Sequence, residues 1–222
     1  KNKPLLILFI MFLSAYTYNI LVSSVGTYFV TYNIEGKISM ATWSLLQTLP
    51  SIVPMLFVPA IAKRIGKKMV VIAGCIISTI GMLMFAVMPA NAIMGFCIGK
   101  SLGAFGYGMT LATIWSTLPD CVEYGEYKTG RRCGGLVFSL ASFSIKISMT
   151  IAGIVPTIVF SFVDYVPNGV QNVPCLMAIK MMNSLIPAIV LIIGILAYTK
   201  YELTEKRFDE IVEELAKRRL RN

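Results

Sequence analysis

The chain has 222 residues, of which 56% are hydrophobic and only 14% are charged, whereas soluble domains contain about 25% charged residues. This composition indicates a membrane protein and excludes an ordinary soluble domain. The formal net charge is +9 and histidine is absent, which excludes imidazole as a proton carrier, general base or metal ligand.

Six apolar stretches are each long enough to cross about 30 Å of hydrocarbon as a helix. They cover residues 4–32, 41–62, 69–88, 91–119, 134–164 and 173–198. The sequence therefore predicts an all-α membrane protein, in which residues 1–198 form a six-transmembrane-helix bundle. Residues 199–222 are predicted to form a cytoplasmic tail.

Neutral polar side chains lie at mid-depth in the first two predicted spans. Asn19 in the first span and Gln47 in the second can hydrogen-bond either a polyhydroxylated ligand or a neighbouring helix. We predict that both belong to a substrate-binding site, with helix–helix hydrogen bonding as the alternative.

The fourth predicted span combines small residues with two polar candidates. Gly99, Gly103 and Gly106 recur at spacings of four and three, which favours close packing against another helix. Thr113 is predicted to contact substrate, by the reasoning used for the first two spans. Lys100 could either line a substrate cavity or be bound by helix carbonyl groups inside the bundle.

Charged residues of both signs follow the fourth span, around a glycine-containing turn. The acidic residues are Asp120, Glu123 and Glu126, and the basic residues are Lys128, Arg131 and Arg132. We predict that they form an ionic latch at the inner membrane surface, which breaks and re-forms between two conformations. The alternative is a solvated loop whose ion pairs contribute little to stability.

Lys146 lies inside the fifth predicted span, about 18 Å from its cytoplasmic end at about 1.5 Å per residue. An ammonium group at this depth is costly unless it is paired or hydrated. All eleven acidic residues lie in loops, span ends or the tail, so none is available at that depth. We predict that Lys146 lines a wet substrate cavity or meets a partner from another polypeptide segment. The alternative is a lysine bound by helix carbonyl groups and by hydroxyl groups such as those of Ser142 and Thr150.

The basic residues indicate which ends of the spans face the cytoplasm. Sixteen of the 20 lie at the start of the chain, at 63–68, at 128–132 or in the tail, all on one side of the bundle. The positive-inside rule then places both ends of this segment in the cytoplasm, with the spans in the plasma (inner) membrane. A charge excess distributed in this way argues against a nucleic-acid partner.

The tail has the pattern of an amphipathic helix. Phe208, Ile211, Val212 and Leu215 recur at helical spacing and would share one apolar face. We predict that this face lies on the cytoplasmic surface of the bundle or of the membrane, with a solvated, frayed tail as the alternative.

The stretch from Asp120 to Arg132 has the pattern D-x-x-E-Y-G-E-x-K-x-x-x-R, and the span after it carries Lys146. This combination resembles the glycoside–pentoside–hexuronide:cation symporters of the major facilitator superfamily. The loops at 63–68 and 165–168 are also similar to that family, and the opening residues resemble the start of its seventh helix. The resemblance covers the whole chain and implies helices seven to twelve, the C-terminal half of a major facilitator fold.

The resemblance implies roles for individual residues. Lys146 would line the cavity for sugar and cation, and Ser142 and Ile145 would approach the sugar. The residues of the cytoplasmic gate would be Asp120, Glu123 and Arg132.

The chain departs from the family pattern at two positions. Relatives carry an acidic residue at Gly134 and a tryptophan of the sugar site at Leu111. The family's cation-binding carboxylates lie in helices one to six, so the resemblance implies that Na⁺ or H⁺ binds mainly outside this segment. No cofactor and no metal site are expected within it.

These observations predict one half of a secondary transporter that moves a sugar, glycoside or hexuronide together with Na⁺ or H⁺ by alternating access. Its partners would be the sugar, the coupling cation, an N-terminal six-helix half of the same protein and the lipid bilayer. An acidic glycoside suits a free ammonium group better than a neutral sugar. Two alternatives stay open: a stand-alone half that dimerises, and a non-transporting sensor or scaffold. An enzyme is not expected, because no nucleophile–base pair, metal cluster or phosphate-binding loop is present in the sequence.

Overall fold

The computed structural model describes residues 2–219, and in that range the regular structure is helical. Helix α1 covers Lys3–Tyr28 and continues as a π-helical turn over Phe29–Asn33. The other helices are α2 (Met40–Ile65), α3 (Lys67–Val87), α4 (Ile93–Thr129), α5 (Gly134–Phe162), α6 (Val173–Met182), α7 (Leu185–Tyr198) and α8 (Glu205–Arg219). The predicted all-α class is confirmed.

The six predicted spans coincide with helices. Five helical segments of the described chain are long and apolar enough to cross a membrane, namely Lys3–Asn33, Met40–Ile65, Lys67–Val87, Gly134–Phe162 and Val173–Tyr198. The remaining one, α4, is long enough at 37 residues but carries Lys100, several glycines and a charged C-terminal end, which lower its hydropathy.

The last predicted span, 173–198, is formed by two helices, α6 and α7, rather than by one continuous helix. It breaks at Asn183 and Ser184, both of which are buried. The break has a local cause, because Pro187 has no N–H group with which to bond the carbonyl oxygen of Asn183 four residues earlier.

Helices α3 and α4 pack with their backbones nearly in contact. A Cβ atom built on Gly81 would lie 2.5 Å from the backbone nitrogen of Gly103 and 2.6 Å from the carbonyl oxygen of Gly99. The predicted close packing of the glycine-rich α4 is therefore seen, and its partner is α3. Helix α1 lies against α4, α5 and α7, and its residues Met11 and Phe12 are fully buried.

We expect Gly81→Ala to lower the free energy of unfolding by about 2 kcal/mol, because backbone atoms cannot yield to the added methyl group without separating the helices. Gly135→Ala is the matched control, since no heavy atom lies within 4 Å of its added Cβ. Thermal unfolding of the detergent-purified protein measures both variants. An unchanged melting temperature for Gly81→Ala would contradict the close packing.

The amphipathic helix predicted for the tail is α8, and it packs against α4. Ile211 and Leu215 are buried and Phe208 packs against the same cluster. Val212 was expected on this face but is 39% exposed. Residues 220–222 of the predicted tail lie outside the described range.

Candidate functional site

Lys146 lies on an open groove of about 610 Å³ along one face of α5. The groove is lined by Leu136, Ser139, Leu140, Ser142, Phe143 and Lys146. The Lys146 side chain is exposed, and its ammonium group has no hydrogen bond or ion pair with any residue from 2 to 219. The predicted alternative, a lysine bound by carbonyl and hydroxyl groups, is not the arrangement seen in this part of the chain.

The opposite face of α5 explains why Lys146 points outward. Ser144 and Ser148 are fully buried, and Ser148 Oγ donates a hydrogen bond to the carbonyl oxygen of Leu13 at 3.0 Å, which ties α5 to α1. Ser142 lies on the groove and donates to its own helix, which leaves lone pairs of its oxygen available to a ligand. Ile145 is half-buried and does not line the groove.

A second groove of about 210 Å³ lies between α1 and α2. Its six lining residues are all polar and uncharged: Asn19, Ser23, Ser44, Gln47, Thr48 and Ser51. The structure thus brings together Asn19 and Gln47, which were predicted separately. The four additional residues were missed, although Ser44, Gln47, Thr48 and Ser51 recur at helical spacing and would share one face of α2.

Lys100 lies directly behind this second groove. Only 2% of the residue is exposed, and its Nζ donates a hydrogen bond of 3.0 Å to Oε1 of Gln47. The same ammonium group lies 4.6 Å from the centre of the Trp43 ring. Of the two roles considered for Lys100, direct contact with substrate is therefore not available in this conformation.

Thr113 does not join either groove. It is fully buried, and its hydroxyl group donates to the carbonyl oxygen of Met109 at 2.8 Å. Because Thr113 lies on the inward face of α4, its hydroxyl group is not available to a substrate in this conformation, and the predicted contact stays a prediction. Two residues further along α4, Trp115 is 39% exposed and its Nε1 donates to the hydroxyl oxygen of Tyr16 on α1 at 2.9 Å.

The predicted ionic latch is arranged differently from the expectation. Asp120 pairs with Lys67, at the start of α3, with 2.6 Å between Oδ2 and Nζ. Helix α4 continues to Thr129, so Asp120 lies more than two turns before the bases of the turn. Asp120 lies beyond the predicted span, where burial raises the pKa of its carboxyl group and Lys67 in part lowers it.

One predicted acid does meet a base of the turn. Glu126 and Arg132 form an ion pair at 3.1 Å, with more than half of the Arg132 side chain exposed. Glu123 is half-buried and makes no ion pair within the described part of the chain. The three residues expected in the gate, Asp120, Glu123 and Arg132, are therefore not paired with one another.

Comparison with known proteins gives the family. A family model described as "MFS/sugar transport protein" matches residues 1–205. The chain is 32% identical over 98% of its length to an uncharacterized symporter of Bacillus subtilis, covering 47% of that relative. It is 31% identical over 99% of its length to a glucuronide carrier protein homolog of Escherichia coli, covering 48% of that relative. It is 33% identical over 75% of its length to an isoprimeverose transporter of Lactiplantibacillus pentosus, covering 35% of that relative.

The chain spans about half the length of the curated relatives it matches. Its relatives are transporters rather than enzymes. The resemblance to a family of sugar transporters, inferred from the Asp120–Lys146 stretch, is confirmed. With helices that can span a membrane and a match over most of its length, the chain belongs to the MFS/sugar transport protein family.

Proposed function

We propose that the protein is a cation-coupled symporter of acidic glycosides, and that these six predicted spans form one wall of its central cavity. The observation that carries the proposal is the free ammonium group of Lys146, exposed on a groove at the middle of a predicted span. A cation held at this depth without a carboxylate of its own is stabilised by an anion that arrives with the substrate or from a facing segment.

The name of one relative supports an acidic substrate. The glucuronide carrier protein homolog is named for a sugar that carries a carboxylate. A Lys146 ammonium group can donate up to three hydrogen bonds to such a group, and charge-assisted hydrogen bonds are stronger than neutral ones. Ser142, one turn earlier on the same groove, adds a hydroxyl oxygen that can accept from the sugar.

Cation coupling is the second element of the proposal. In the sequence no Asp or Glu lies within the cores of the six predicted spans, so the carboxylates that bind Na⁺ or H⁺ would belong mainly to an N-terminal six-helix half. Cation binding there would raise the affinity for the acidic sugar, and the sugar would raise the affinity for the cation by the same factor. The two halves would rock about the shared cavity in alternating access.

The topology follows from the distribution of basic residues. Both ends of this segment would lie in the cytoplasm, and the inner membrane is the proposed location. The Lys146 groove and the polar groove of Asn19 and Gln47 would then face the other half of the transporter.

A second candidate function is the symport of uncharged sugars. The polar groove between α1 and α2 carries no charged side chain, and one relative is named an isoprimeverose transporter. Neutral hydroxyl and amide groups can bind a sugar without any carboxylate.

Uptake into membrane vesicles tests the proposal and separates the two candidates. Vesicles from cells that express the complete gene are given labelled phenyl β-D-glucuronide or phenyl β-D-glucoside, which differ only at C6, where the first has a carboxylate and the second a hydroxymethyl group. We expect concentrative uptake of the glucuronide, dependent on a Na⁺ or H⁺ gradient, and weaker uptake of the glucoside. Equal uptake of both would favour the uncharged-sugar candidate. No uptake above that of vesicles lacking the protein would contradict symport and favour a non-transporting role.

A further inference from the structure

The polar groove between α1 and α2 is distinct from the groove that holds Lys146. The Lys146 groove is lined by residues of α5 alone, whereas the polar groove is lined by residues of α1 and α2, so the two grooves share no lining residue. One groove offers a positive charge and the other offers only neutral polar groups.

The orientation of the Gln47 amide group follows from its contact with Lys100. An ammonium group can only donate hydrogen bonds, so the amide oxygen must face Lys100 at 3.0 Å. The amide nitrogen then points the other way, with one long contact of 3.5 Å to the carbonyl oxygen of Asn19. Gln47 therefore presents its remaining N–H group to the groove, polarised by the buried charge behind its oxygen.

The neighbouring side chains complement this donor. Thr48 donates its hydroxyl proton to the carbonyl oxygen of Ser44, and Ser51 donates to that of Thr48, so both oxygens can still accept. The side chains of Asn19 and Ser23 have no hydrogen-bond partner among residues 2–219. The groove thus offers both donors and acceptors, which is the pattern that sugar hydroxyl groups require.

We propose that this groove is a second, neutral sugar subsite, and that buried Lys100 is a positioning residue that orients Gln47 to donate to a sugar oxygen. The proposal rests on the sugar transport proposed above. Lys146 would recognise the acid, while the second subsite would bind hydroxyl or ring oxygens that acidic and neutral glycosides share.

The discriminating variant is Gln47→Glu. It keeps an oxygen against Lys100, and so keeps the tie between α2 and α4, but it replaces the groove-facing donor by an acceptor. In the vesicle assay we expect the KM for phenyl β-D-glucuronide and for phenyl β-D-glucoside to rise about tenfold, with the maximal rate and the amount of protein in the membrane unchanged. Lys100→Met, which leaves the amide unoriented, should raise both KM values by a smaller factor.

Ser101→Ala is the matched control. Ser101 lies next to Lys100 and makes another contact between the same two helices, donating to the carbonyl oxygen of Leu46 at 3.4 Å. We expect its KM values to match the wild type. The proposal is overturned if Gln47→Glu keeps wild-type KM values, or if it lowers only the maximal rate, as a purely structural tie would.

A binding measurement separates this inference from the proposed transport. Phenyl β-D-glucoside should raise the melting temperature of the purified wild-type protein, and at the same ligand concentration the shift should be clearly smaller in Gln47→Glu. A shift without vesicle uptake would reject symport and retain the subsite. If the wild type transports the glycosides but Gln47→Glu keeps the full shift, the subsite is rejected and symport is retained.

Discussion

Lys146→Gln is expected to raise the KM for phenyl β-D-glucuronide about 30-fold and to leave the KM for phenyl β-D-glucoside within about twofold of the wild type. The factor corresponds to about 2 kcal/mol, a typical contribution of a hydrogen bond to a charged group. The physical reason is that the ammonium group is exposed on its groove and unpaired in the described structure, so a carboxylate is its natural partner. Concentration-dependent uptake into vesicles measures both constants.

Lys180→Gln is the matched control, because Lys180 is another lysine within a predicted span. Its Nζ already donates to the carbonyl oxygen of Met88 at 2.6 Å and lies 5.7 Å from the centre of the Phe96 ring. We expect the ratio of the two KM values to stay at the wild-type level. A ratio that stays unchanged in Lys146→Gln as well would refute charge recognition by Lys146.

Asp120→Lys is expected to lower the free energy of unfolding by about 3 kcal/mol, because it sets two ammonium groups side by side where an ion pair now stands. Only 12% of the Asp120 side chain and 30% of the Lys67 side chain are exposed, so solvent screens the repulsion incompletely. Thermal unfolding of the purified protein should show a fall of several degrees in melting temperature.

Two further variants test the assignment of this effect to the pair. Adding Lys67→Asp to Asp120→Lys restores opposite charges and should recover most of the lost melting temperature. Lys217→Glu reverses a charge in the exposed Lys217–Glu213 pair of α8 and should leave the melting temperature unchanged. A double variant no more stable than Asp120→Lys alone would show that the pair is not the cause.

The Lys67–Asp120 pair also changes the interpretation of the cytoplasmic gate. It joins α3 to α4, which are already in backbone contact through their glycines, so it strengthens one rigid unit. The backbone N–H group of Lys67 also donates to Glu205 at the start of α8, which brings the tail into the same cluster. A gate between two halves would instead use charged side chains that form no ion pair within the unit of α3, α4 and α8. Glu123 and Arg131 are two such residues in the described chain.

Much of the fold could be predicted because a membrane-spanning helix is recognisable from the composition and length of its own segment. Backbone groups must be satisfied within each segment in hydrocarbon, so a long apolar stretch has few alternatives to a helix. The same locality explains the amphipathic tail, whose Ile211 and Leu215 are buried as their spacing indicates. The break at Asn183 was missed because the stretch around Pro187 is apolar enough on average to predict a single span.

Site residues were harder to predict, since a polar residue in a span faces either the cavity or a neighbouring helix. The sequence supported a substrate contact equally well for three residues, Asn19, Gln47 and Thr113. In the structure Thr113 is fully buried, whereas the other two share a groove. Helix rotation decides between these outcomes, and contacts distant in sequence set that rotation.

The sequence by itself determined the membrane class, the positions of the spans and the fact that Lys146 has no acid at its own depth. These follow from composition and from the length of apolar stretches, which are properties of each segment alone. Only the tertiary structure decided that Lys146 faces an open groove, that Lys100 binds Gln47 and that Asp120 pairs with Lys67. Each of these depends on how one helix is rotated against another, and close glycine packing and buried serine contacts between helices set those rotations.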